Sequence, residues 1–74
     1  MQEKIRKRVL EKLGSCEIKI SMEDGLDGTY AAIEVQSEKF RDISRIEQHR
    51  MVLKALEDLI ATNEIHAVKI KTRV

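Results

Sequence analysis

Two histidines and one cysteine supply the imidazole and thiol groups with which this 74-residue sequence could ligate a transition metal: His49, His66 and Cys16. His66 opens the last segment of the chain, where an imidazole can sit at a domain rim. Position alone leaves it open between a structural imidazole and a ligand for Fe, Zn or Cu. Cys16 precedes an alternating apolar run, a setting that favours packing as a small hydrophobe over service as a soft-metal thiolate. His49 falls on the spacing 46, 49, 53, 56, 60, which reads as an apolar helix stripe, so it is expected to be a hydrogen-bonded structural residue. One cysteine cannot make an internal disulfide, and no Cys/His set has zinc-finger spacing. No Walker loop, paired carboxylate set or nucleophile–base pair is present, and no Ser or Cys stands near either histidine in sequence. The chemistry on offer is that of a binding or carrier module, not of an enzyme.

The acidic stretch Glu23-Asp24-Gly25-Leu26-Asp27-Gly28 contains a G-x-x-G, the signature of a KH nucleic-acid loop. Its three carboxylates would repel phosphates, so it is read as a turn that needs glycine. Asp24 and Asp27 could offer weak oxygen ligands, but the stretch lacks the ligand order of an EF-hand loop.

The elements that must position these groups follow from periodicity. Residues 2–13 read as a helix, with Ile5, Val9 and Leu13 at i, i+4, i+8 and Gly14 as the stop. Residues 16–22 and 29–36 alternate with period two and are joined by the acidic turn, which makes a hairpin. A long helix is expected over about 43–61, opened by Ser44 and Glu47 at capping-box spacing, closed by Asn63, and with Ile46, Val52, Leu53, Leu56, Leu59 and Ile60 as a broad apolar face. Residues 65–72 alternate again: His66, Val68, Ile70 and Thr72 on one face, and Ile65, Ala67, Lys69 and Lys71 on the other. The order α-β-β-α-β defines an α+β fold. The second strand, long helix and third strand form a crossover unit, so the third strand runs parallel to the second. The expected architecture is a three-stranded mixed sheet with two helices on one face, and one domain over residues 1–74.

Composition bounds the setting. Residues are 42% hydrophobic, 36% charged and 3% aromatic, with no proline and a net charge of +1. No apolar run approaches the roughly 18 residues that span a bilayer, and no secretory signal opens the chain. A lone thiol fits a reducing compartment, so a cytoplasmic location is expected. Charge is uneven: residues 2–13 carry a local excess of +3, residues 23–28 of −3, and residues 64–74 of +2. Near-neutral overall charge makes no case for nucleic acid, and the patches make a modest one.

Residues 40–72 resemble the BolA family. The first part, Phe40-Arg41-Asp42-Ile43-Ser44-Arg45-Ile46-Glu47-Gln48-His49-Arg50-Met51-Val52, is similar to the family's Phe followed by an Arg-His-Arg-x-Val helix. The second, Asn63-Glu64-Ile65-His66-Ala67-Val68-Lys69-Ile70-Lys71-Thr72, is similar to its Ile-His-Ala-(Leu/Val)-x-Ile-x-Thr strand. The resemblance implies a class II KH-like α-β-β-α-β fold. It also implies a partner, because BolA-like proteins pair with monothiol glutaredoxins and share a [2Fe–2S] cluster in cluster trafficking, iron homeostasis and stress response. His66 takes the place of the family's iron ligand. The second ligand, a His or Cys before the second strand, is replaced around Gly28-Thr29-Tyr30, with Thr29 near the expected position and Cys16 the one thiol available. Gln48 replaces the first arginine of the helix motif, and the glycine usual after the Phe is absent.

The expected function is therefore that of an adaptor in Fe–S cluster handling, monomeric alone and a heterodimer with its partner. The cluster would be shared with glutaredoxin and glutathione, and the isolated protein would hold none. Lys69, Lys71 and Arg73 would dock an anionic partner surface or the glutathione carboxylates. The alternative is a DNA-binding transcriptional regulator that uses the KH-like fold. Its surface would be Lys4, Arg6, Lys7, Arg8 and Lys12, with Arg45 and Arg50.

Overall fold

The computed structural model describes residues 1–25, 28–65 and 67–74, with Gly28 and Thr29 as backbone alone. Leu26, Asp27 and His66 lie outside the described residues. Helix α1 spans Gln2–Leu13 and buries Ile5, Val9 and Leu13, as the i, i+4, i+8 spacing requires. Gly14 ends it at φ 74°, ψ −152°, a backbone region essentially confined to glycine. Its amide donates to the Leu10 carbonyl at 2.8 Å.

Strands β1 (Glu17–Gly25) and β2 (Gly28–Gln36) pair antiparallel, and β3 (Ala67–Arg73) pairs parallel to β2. The order is β1-β2-β3, so both β1 and β3 are edges. Strict alternation sorts the side chains. Ile18, Ala31, Ile33 and Val35 are buried against the helices, with Ile20, Met22, Val68 and Ile70 packed at the margin. Glu17, Lys19, Lys69, Lys71 and Arg73 stand exposed on the opposite face. The helices therefore cover one face of the sheet, as expected.

The expected helix over 43–61 is two helices, α2 (Arg45–Ala55) and α3 (Glu57–Ala61). Ser44 caps α2, its hydroxyl accepting from the Glu47 amide at 3.3 Å. Leu56 breaks the run at φ −106°, ψ 5°, where its amide turns back to the Leu53 carbonyl. The buried stripe is Val52, Ala55, Leu56 and Leu59. It keeps Val52, Leu56 and Leu59 of the expected broad apolar face, with Ile60 packed at its margin, and leaves out Ile46 and Leu53. Ile46 is 66% and Leu53 41% exposed, while His49 is half-buried. The cause is a sequence with apolar residues on two sides of one helix, of which the sheet can cover one.

Between β2 and α2, a 3₁₀ turn (Glu38–Phe40) drives Phe40 fully into the core. The end of α3 is a Schellman motif: Glu64 donates to the Leu59 carbonyl at 3.0 Å and Asn63 to that of Ile60 at 3.1 Å. Asn63 takes φ 61°, as its place in the sequence suggests. The same motif turns Ile65 inward to 1% exposure. Ile65 thus belongs to the helix stop and the core, not to the exposed face of the last strand, which begins two residues later.

Candidate functional site

The sheet register places the C-terminal motif. Tyr30 pairs with Ala67 on one side and Glu23 on the other, so Glu23, Tyr30 and Ala67 form a row across one end of the sheet. His66, the expected iron ligand, lies outside the described residues, as do Asp27 and the Thr29 side chain. Ile65 and Ala67, its two neighbours in the chain, are a buried anchor and the first strand residue. In the row itself, the Tyr30 hydroxyl donates to the Glu23 carboxylate. That bond and the adjacent negative charge push the phenol's pKa up, so Tyr30 stays a neutral donor. Among the described residues, no group of three or more His, Cys, Asp or Glu side chains could hold a metal ion.

Cys16 sits at the other end. It directly precedes Glu17, which pairs with Gln36, which pairs with Arg73. From that row to Ala67 is six residues along β3, about 20 Å at 3.3 Å per residue. Cys16 therefore cannot join a metal site at the Ala67 end. It is half-buried against the core, and desolvation pushes its thiol pKa up, with a smaller opposing pull from Lys39. These are the conditions of a packing group.

Lys69, Lys71 and Arg73 are exposed at alternate positions along the β3 edge. Their cross-strand neighbours on β2 are Ala32, Glu34 and Gln36, and on β1 Ser21, Lys19 and Glu17. Glu34 stands between Lys71 and Lys19, which leaves the β3 side of this face with a net positive charge. The arrangement suits an anionic surface laid along β3.

The alternative basic surface is largely committed to holding the fold. Lys4 bonds Glu64 at 2.5 Å, and Arg8 bonds Asp58 at 2.9 Å with Glu11 alongside at 3.8 Å. Arg6 donates to the Ile18 carbonyl at 3.2 Å, and Arg50 pairs with Glu47 at 2.7 Å. Lys7, Lys12 and Arg45 are exposed and make no ion pair among the described residues. The pairs leave their mark on the acids. The Arg8 hydrogen bond holds Asp58 below its ordinary pKa, and the Lys4 bond, helped by Thr62, does the same for Glu64.

Gln48 is a residue whose role its sequence position did not reveal. Its amide nitrogen donates to the Phe40 carbonyl at 3.1 Å and the Ile43 carbonyl at 2.8 Å, and its oxygen accepts from the Thr72 hydroxyl at 2.5 Å. It thereby ties the 3₁₀ turn, the start of α2 and β3 together. The signal available was its place in the first turn and a half of a capped helix, where a side chain can reach back to the preceding loop.

An α+β unit with a mixed β1-β2-β3 sheet and helices on one face, whose C-terminal strand follows Ile65-His66 in sequence, defines a class with known relatives. The family model for BolA-like proteins matches residues 15–74, and the chain belongs to the BolA family. A solved BolA-like protein from Rickettsia prowazekii is 31% identical, with a TM-score of 0.71 over 99% of this chain and 92% of that one. A bol-like protein from Babesia bovis shares the fold at a TM-score of 0.84 and 19% identity, over 99% of this chain and 83% of that one. A BolA-like protein from Dictyostelium discoideum is 44% identical over 41 residues, 55% of this chain and 36% of that protein. The matched part thus spans about a third of this curated relative's length. Among the described residues, no helix is long and apolar enough to cross a membrane.

Proposed function

We propose that this chain is a non-enzymatic adaptor that pairs with a monothiol glutaredoxin and shares a [2Fe–2S] cluster with it, in cluster trafficking and iron homeostasis. Membership in the BolA family across residues 15–74, which includes the Ile65-His66-Ala67 motif, carries this reading. His66 supplies the iron ligand from this chain. Thiolates of glutaredoxin and glutathione hold the rest of the cluster. A neutral imidazole on one iron raises the cluster potential and makes it sensitive to protons. With Cys16 some 20 Å from Ala67 by strand geometry, the partner must bring the sulfur ligands. Lys69, Lys71 and Arg73 line the exposed β3 edge that begins beside His66, a placement that suits docking of partner or glutathione carboxylates.

The test is titration with a cluster-loaded monothiol glutaredoxin, followed by visible absorption and circular dichroism. Wild type is expected to change both spectra, and His66→Ala to abolish the change. A His66→Ala protein that gives the wild-type spectra overturns the proposal. The duplex-binding alternative draws less support, because Lys4, Arg8 and Arg50 are held in ion pairs and Arg6 in a backbone bond.

A further inference from the structure

The two sheet edges carry opposite kinds of charge pattern. On the exposed face, β3 presents Lys69, Lys71 and Arg73. Any antiparallel overlap of β3 with a copy of itself longer than three residues sets cation against cation, which protects that edge. Strand β1 presents Glu17, Lys19, Ser21 and Glu23 at the same alternate positions, all exposed. This series is self-complementary. With a two-fold axis at Ser21, Lys19 of each copy lies opposite Glu23 of the other, twice over.

Two features of the packing favour the same register. First, the core-side residues of β1 are incompletely covered. Ile20 and Met22 are half-buried, whereas their cross-strand neighbours Ile33 and Ala31 are buried. In the Ser21-centred register, Ile20 faces Met22 of the second copy and Met22 faces Ile20, so each completes the other's burial. Second, the competing register centred on Ile18, which would pair Glu17 with Lys19, overlaps the two strands over residues 17–19 alone, because β1 begins at Glu17. The Ser21-centred register overlaps all nine residues of β1. Leu10, one turn along α1 from Arg6 and on the same helix side, is 38% exposed and extends the apolar strip beside the edge.

We propose that β1 is a self-association edge: two copies of this chain pair β1 antiparallel about Ser21, joining their sheets into one of six strands through reciprocal Lys19–Glu23 pairs. The interface is isologous and closes as a dimer. It replaces the monomeric free chain expected from sequence. It leaves β3 and the Ala67 end, on the opposite edge, open to a different partner. The inference does not depend on iron or glutaredoxin.

Light scattering or sedimentation equilibrium across a concentration series tests it. The wild-type chain is expected to rise from 8.6 kDa toward twice that mass as concentration increases. Lys19→Glu sets Glu against Glu23 twice, and Glu23→Lys sets Lys against Lys19 twice. Each should weaken self-association at least about tenfold, since like charges directly opposite across strands repel. An equimolar mixture of the two variants restores both pairs, one with the native sign and one inverted, and should dimerise again. Far-UV circular dichroism confirms that each variant is folded. If Glu23→Lys is not, the comparison of wild type with Lys19→Glu carries the test, because the Lys19 side chain is exposed. Wild type that stays at 8.6 kDa at every concentration, a Lys19→Glu variant that dimerises as wild type does, or two folded single variants that fail to rescue each other overturns the proposal.

Discussion

Cys16 and His66 are the two side chains that a metal-centred reading would join, and the sheet register sets Cys16 far from Ala67, the residue that follows His66 in sequence. Cys16 stands by the Gln36–Arg73 row, while Ala67 pairs with Tyr30 at the opposite end. Burial disfavours the Cys16 thiolate, so the group packs instead of ligating. Cys16→Ala is therefore expected to leave the cluster spectrum of a glutaredoxin complex unchanged. It should cost about 1 kcal/mol of stability from lost packing, a common size for a single substitution. Visible absorption and a urea midpoint measure the two effects separately. A cluster signal that disappears with Cys16→Ala would make the thiol a ligand and require a different arrangement of the chains.

At the scale of elements, the interrupted helix over residues 45–61 decides which apolar residues hold the fold. Leu56 and Leu53 are the same residue type three positions apart, yet one is fully buried and the other 41% exposed. Leu56→Ala is expected to cost about 2–5 kcal/mol, the range for a buried leucine. In a domain whose total stability is of order 5–15 kcal/mol, that is a large share. Leu53→Ala should fall within about 0.5 kcal/mol of wild type. Chemical denaturation of the two variants side by side makes the comparison. Equal losses would mean that the stripe through positions 46, 53 and 60 is the buried one.

For the whole molecule, α1 is fastened to the α3 end of the chain by Lys4–Glu64 and Arg8–Asp58. Both acids are held below their ordinary pKa values, 3.8 for Asp and 4.5 for Glu. A depressed carboxylate pKa stabilises the fold above the ordinary value, and this contribution is lost as pH falls through the folded-state value. Thermal stability should accordingly fall below about pH 4.5. A variant with Asp58→Asn and Glu64→Gln should melt lower than wild type at pH 7 and show a shallower decline on acidification. Melting curves from pH 7 to 3 check this; parallel declines in the two proteins would remove the ion pairs as the cause. Because the pairs are solvent-exposed, the effect should shrink as salt is added.

The sequence determined the alternation of three strands, the buried stripe of α1, the Ser44 cap, the stops at Gly14 and Asn63, and hence the α+β order. These are local properties: side-chain period, capping chemistry and glycine's backbone range act within a few residues. It also carried the motif around His66, from which the proposed chemistry follows. Three matters were settled by tertiary structure alone. Apolar residues ring α2 on two sides, and only packing against the sheet selected Val52, Ala55, Leu56 and Leu59 over Ile46 and Leu53. The basic residues of α1 read as a free cationic face until folding brought Asp58 and Glu64, some fifty to sixty positions away, within reach of Arg8 and Lys4. The edges, too, exist only in the assembled sheet. Hydrogen bonding of β2 on both sides left β1 and β3 exposed, and so turned two short charge patterns into one edge that repels its own copy and one that complements it.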